Sequence, residues 1–134
     1  MKITASIKNS LQQNIITVET EGNQKEINIP SKPAGSGSSV NGAELLCASL
    51  ATCFCNDIYR EAARRKINIE SVTVNVFAEF SNEGEPALSV NYAADIKSDS
   101  PPATIEDLIK HVDAIAEIHN TLRKGIAVSL LPNR

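Results

Sequence analysis

Residues 41–54, "NGAELLCASLATCF", decide how the rest of the chain is read. Asn41 followed three residues later by Glu44 has the spacing of a capping box, so a helix is expected to open at Ala43 and run to about Lys66. Its first half, as far as Cys55, is apolar on nearly every face, and a helix of that kind has to be covered all round. A small chain does this most easily by packing the helix against a sheet and against a partner subunit. The second half, "REAARRK" (60–66), is polar and cationic, which suits an end that emerges to solvent and complements the helix dipole.

Upstream, "KITASI" (2–7), "NIITVET" (14–20) and "KEINIP" (25–30) read as a strand meander, with turns expected in "KNSLQQ" and "EGNQ". "SKPAGSGSSVNG" (31–42) has linker chemistry and, lying between ordered patterns, reads as a mobile surface loop within one domain spanning 1–134. Downstream, "INIESVTVNVFAEF" (67–80) and "ALSVNYAADIK" (87–97) alternate at period two around "SNEGEP", a hairpin signature. After Pro101 and Pro102, residues 104–122 carry Ile105, Leu108, Ile109, Val112, Ile115, Ala116 and Ile118 at amphipathic helical spacing. Gly125 then leads into a last expected strand, "IAVSLL" (126–131). The expected architecture is α+β, in the order β-β-β-α-β-β-α-β, around a long buried central helix.

The 134 residues match the common size of one domain, and 42% apolar content with no Trp implies a core of aliphatic residues. A net charge of -3 with scattered basic residues argues against nucleic acid, which needs a clustered cationic face. No run approaches the roughly 18 apolar residues of a membrane span, and a cytoplasmic location is expected. In a reducing compartment the three cysteines are not a disulfide framework.

On a helix, Cys53 and Cys55 point about 160° apart and Cys47 and Cys55 about 80° apart, which argues against a shared metal or a 53–55 disulfide. Neither a metal nor a cofactor is expected. Cys47 and Cys55 read as small core hydrophobes.

Asn41, Leu45, Leu46, the Ala-rich approach and the Cys53-Phe54 pair, followed by the long hairpin, the second helix and its closing strand, resemble the OsmC/Ohr family of osmotically inducible and organic hydroperoxide resistance proteins. The resemblance implies an intertwined homodimer with sites between subunits. It makes Cys53 the candidate nucleophile, attacking the O–O bond of an organic hydroperoxide. It also implies an activating Arg from the N-terminal region, an activating Glu and a resolving Cys on the second helix. At those places the chain differs: no Arg precedes Arg60, Ala43 stands where the Glu falls with Glu44 one residue late, and Ala116 stands at the resolving position with Glu117 after it. Glu44 is a weak second candidate, already explained as a cap. His119, three residues past Ala116, reads either as a group that hydrogen-bonds or activates Cys53 or as a helix-terminal surface histidine; His111, on the same helix, has no stronger claim.

Two functions follow. One is a Cys53-dependent thiol peroxidase that reduces organic hydroperoxides and is recycled by an external thiol. The other is a non-catalytic homodimer that binds a small apolar ligand in an interfacial pocket. Without a neighbouring cation, a thiol of pKa about 8.5 is mostly protonated at neutral pH.

Overall fold

A computed structural model describes residues 1–132, which form two compact units, Met1–Leu45 and Leu46 onward.

The first unit is an antiparallel meander of β1 (Ile3–Ser10), β2 (Gln13–Thr20) and β3 (Asn23–Ile27), in spatial order β1-β2-β3. β1 and β2 extend into the segment expected to turn, because Ser10 pairs directly with Gln13 and leaves only Leu11 and Gln12 to reverse the chain. Glu21 (φ 49°) and Gly22 (φ 83°) make the second reversal between Thr20 and Asn23. Two consecutive positive φ values match a type I′ hairpin, where glycine carries little steric penalty.

The Pro/Gly/Ser-rich segment folds on itself. Ser31 bridges Ser38, the Lys32 N–H donates to Gly37 O (3.0 Å), and the Gly37 N–H donates to Asn9 Oδ1 at 2.8 Å. Gly37 sits at φ 108°, a region L side chains rarely adopt.

α1 (Gly42–Arg64) opens with the expected capping box: the Glu44 N–H donates to Asn41 Oδ1 at 2.9 Å, and the Asn41 N–H donates to Glu44 Oε2 at 2.7 Å. In the second unit α1 is followed by the hairpin β4 (Ser71–Phe80) and β5 (Ala87–Lys97), then α2 (Pro102–Ile115) and α3 (Glu117–Lys124). Phe54, Ile58 and Ala62 on α1 are spaced by four residues, as are Leu108, Val112 and Ala116 at the end of α2. Together they form a buried cluster on Val72, Val74, Tyr92, Ala94 and Ile96 of the hairpin.

Two expectations are corrected. The helix expected over 104–122 breaks at Ala116, whose ψ of 106° is extended. Donors from the next turn take carbonyls the break frees: Asn120 Nδ2 donates to Ala114 O (3.0 Å) and Arg123 Nη1 to Asp113 O (3.0 Å).

The last expected strand, 126–131, forms no ladder among the described residues. Ile126, Val128 and Leu130 are 60%, 97% and 99% exposed, and no strand edge among the described residues pairs with this apolar, alternating segment. The order is therefore β-β-β-α-β-β-α-α, still α+β.

The apolar half of α1 is also only partly covered. Leu45 is 36% exposed, and Cys47 and Cys55 are half-buried within the single chain; its own elements cover the stripe Leu50, Phe54, Ile58 and Ala62 and leave the other faces open.

Candidate functional site

Cys53 lies on α1 one residue before the core residue Phe54, so its thiol sits half-buried at the margin of the core. One turn on, Asp57 places Oδ2 3.8 Å from Cys53 Sγ. Asp57 is itself buried, and Arg60 Nη1 donates to its other oxygen at 2.6 Å. Arg60 Nε also donates to Glu61 Oε1 (3.0 Å), which accepts from Arg64 Nη1 at 2.8 Å, while His111 Nε2 lies 3.2 Å from Glu61 Oε2. The outcome is a ladder of carboxylates and guanidiniums along one face of α1. Arg60, the first arginine in the chain, is held within that ladder by two carboxylates.

Burial is the main influence on the Cys53 thiol and pushes its pKa above the ordinary 9.0. The backbone N–H of Ile118, in the first turn of α3, opposes this in part, and the Asp57 and Glu117 charges reinforce the rise. Glu44 is engaged in its capping box.

His119 follows immediately in α3. The structure corrects the reading of it as a surface histidine: it is 4% exposed, with its ring centroid 4.4 Å from that of Tyr92 and 5.5 Å from that of Phe54. Neither ring nitrogen has a hydrogen-bond partner among the described residues, so the structure does not join His119 to Cys53. An unpaired buried polar group costs about 1–3 kcal/mol, which makes this ring the least satisfied polar side chain of the core. Burial lowers its pKa below 6.5, and the Arg123 charge adds to the effect, so the imidazole is neutral at pH 7.

The ring lines a cavity of about 270 Å³ together with Leu50, Val90, Tyr92, Leu122 and Arg123. At its edge the Tyr92 hydroxyl donates to Asp113, and Arg123 Nη2 donates to Asp113 Oδ1 (2.6 Å) and to the Tyr92 oxygen (3.1 Å). These bonds hold the Asp113 carboxyl below its ordinary range, the Tyr92 contact most strongly. Burial, more than the neighbouring carboxylate, raises the Tyr92 phenol.

Sequence reading missed the Tyr92–Asp113–Arg123 cluster, whose members come from three elements with no common spacing. The ladder on α1 had a readable signal in Asp57, Arg60, Glu61 and Arg64, spaced three or four residues apart. No group of three or more His, Cys, Asp or Glu among the described residues is arranged to hold a metal ion.

The model of the OsmC-like protein family matches residues 35–131, and the chain belongs to that family. Among solved structures, an OsmC-like protein from Mycoplasma pneumoniae shares 21% identity over 91% of this chain and 89% of its own, at a TM-score of 0.64. The organic hydroperoxide resistance protein OsmC of Legionella pneumophila shares 19% over 92% of this chain and 90% of its own, at 0.62. An OsmC-like hydroperoxide resistance protein from Jannaschia shares 16% over 94% and 88%, at 0.58. At these identities the likeness establishes the fold. No curated protein sequence matches the chain. No helix among the described residues is long and apolar enough to cross a membrane.

Proposed function

We propose that this OsmC-family chain is a stress protein whose Cys53 reduces organic hydroperoxides at the expense of an external thiol. The observation that carries the reading is the half-buried Cys53 thiol at the margin of the core, where the Ile118 backbone N–H opposes part of the rise that burial imposes on its pKa. The thiolate attacks one peroxide oxygen and the O–O bond breaks. Cys53 becomes a sulfenic acid, and the departing alkoxide takes a proton to leave as the alcohol. A first external thiol condenses with the sulfenic acid and releases water; a second reduces the mixed disulfide and regenerates Cys53.

Because Ala116 occupies the resolving position and Cys47 and Cys55 point away along α1, the sulfenic acid persists until an external thiol meets it. Intact mass spectrometry after stoichiometric cumene hydroperoxide is expected to show one or two added oxygens; loss of two hydrogens with a Cys53 crosslink inside one chain would refute this. Cys53→Ser is expected to abolish peroxide consumption, and undiminished turnover would remove the enzymatic reading. Since burial and the Asp57 charge raise the thiol pKa, the rate constant should climb with pH through neutrality without reaching a plateau by pH 8.

The working unit in this reading is a homodimer. The partly open apolar faces of α1 and the exposed Ile126, Val128 and Leu130 support a second copy covering them. Sedimentation showing a stable folded monomer at micromolar concentration would exclude it. A second reading, a dimer that binds a small apolar ligand without catalysis, draws support from the absence, among the described residues, of a free cation beside Cys53, Arg60 being bonded to Asp57 and Glu61.

A further inference from the structure

Cys53 meets a carboxylate where the OsmC resemblance calls for a guanidinium. Asp57 Oδ2 stands 3.8 Å from Sγ, and the Asp57 side chain is buried, so little water screens its charge. Arg60 binds the other oxygen, Oδ1, at 2.6 Å and is taken a second time by Glu61 Oε1 at 3.0 Å. Glu117, exposed in the first turn of α3, adds a further negative charge to the field at the sulfur.

We propose that Asp57 is a specificity-determining residue: the external thiol that reduces oxidised Cys53 is an aminothiol, whose ammonium group, a few bonds from its sulfur, pairs with Asp57. This rests on the reading of Cys53 as a thiol that exchanges with external thiols, and it draws from the reductant the cation that no arginine ahead of Arg60 provides.

Two physical effects act in the same direction. A Cys53 thiolate beside Asp57 sets two negative charges together, and an ammonium arriving with the partner offsets that repulsion, whereas a carboxylate on the partner adds to it. In the mixed disulfide the partner's sulfur is bonded to Sγ, and a two-carbon tether lets its ammonium reach the oxygen to which the thiol donates in the reduced protein.

The aminothiol sulfur attacks the Cys53 sulfenic acid, an S–S bond replaces the S–O bond, and the hydroxyl leaves as water with the aminothiol proton. A second aminothiol attacks the sulfur of the first, the Cys53 thiolate departs and takes the proton, and the free disulfide is released.

The test is thiol–disulfide exchange on the full chain carrying Cys47→Ala and Cys55→Ala, which forms the same mixed disulfide and needs no peroxide. Mass spectrometry follows adduct formation at Cys53 with cystamine, bis(2-hydroxyethyl) disulfide or 3,3′-dithiodipropionate, and 2-mercaptoethanol with the same three disulfides corrects for their intrinsic reactivity. At low ionic strength the corrected rate with the cationic disulfide should exceed that with the anionic one by about tenfold or more, and salt should narrow the gap. Asp57→Asn should bring the ratio close to unity, whereas a loosened structure would speed all three disulfides alike and leave the ratio unmoved. If Asp57→Asn fails to fold, Glu117→Gln, at an exposed position, should lower the ratio by a smaller step. No adduct with any of the three, equal corrected rates, a faster anionic disulfide, or a ratio unmoved in the variant that folds would overturn the assignment. A chain that keeps this charge order but consumes no hydroperoxide would support it and overturn the peroxidase reading alone.

Discussion

The β4–β5 hairpin and the β1–β3 meander are built from the same alternation of apolar and polar residues, yet they meet opposite fates. Val72, Val74, Tyr92, Ala94 and Ile96 of the hairpin pack against the buried residues of α1 and α2. In the meander, Ile7, Ile16 and Ile27 form one row across the three strands, and only the central Ile16 is buried, while Ile7 is 57% and Ile27 41% exposed. Ile16 is flanked on both sides by paired strands, and the edge residues are not. Alternation therefore tells which side chains share a face; it does not tell what lies over that face.

The sharpest way to break this comparison is at the covered side. Phe54→Ala removes a ring that is 1% exposed and contacts both Tyr92 and His119, and is expected to cost about 3–5 kcal/mol in urea denaturation. A loss near that of a surface change would show that the hairpin face is not the core described.

Acid provides the next test. His119 has a folded-state pKa below its ordinary 6.5, so the unfolded chain gains the proton first. The stability due to the neutral ring is complete above about pH 6.5 and is lost as pH falls toward the depressed value. Glu61 and Asp113 have carboxyls held low, by Arg60 and Tyr92 respectively, so their contributions are present above 4.5 and 3.8 and fade at lower pH. Urea midpoints should therefore decline from pH 7 to 5, and replacing His119 by Leu should flatten that decline. An unchanged slope would assign it elsewhere.

The smallest effect is expected on the uncovered side. Ile7→Ser should leave the stability of an isolated chain within about 0.5 kcal/mol, as for other exposed sites. In the homodimer proposed above, the same change should shift sedimentation toward the monomer and make the melting temperature more dependent on concentration. A stability loss that is independent of concentration would mean that the meander face is covered within the chain itself.

Much of this molecule was legible before any coordinates. The capping box at Asn41 and Glu44, the hairpin alternation and the helix beginning after Pro101 are local patterns, set by hydrogen-bond spacing and side-chain periodicity within a few residues, and the OsmC family was legible as a resemblance carried by the segment from Asn41 to Phe54. The break at Ala116 was not legible, because the donors that stabilise it, Asn120 and Arg123, reach back across the gap only once the chain has turned. The end strand failed for the complementary reason: Ile126, Val128 and Leu130 have the periodicity of a strand, but a strand exists only where another edge receives its hydrogen bonds. The candidate site divides in the same way. Cys53 became the candidate through the resemblance, and its neighbour Asp57 lies one turn away on the same helix, whereas the burial of His119 between Phe54 and Tyr92 depends on distances between separate elements. The resemblance pointed to the thiol; burial and charge, which act through space, raise its pKa, and packing leaves the His119 imidazole without a hydrogen-bond partner among the described residues.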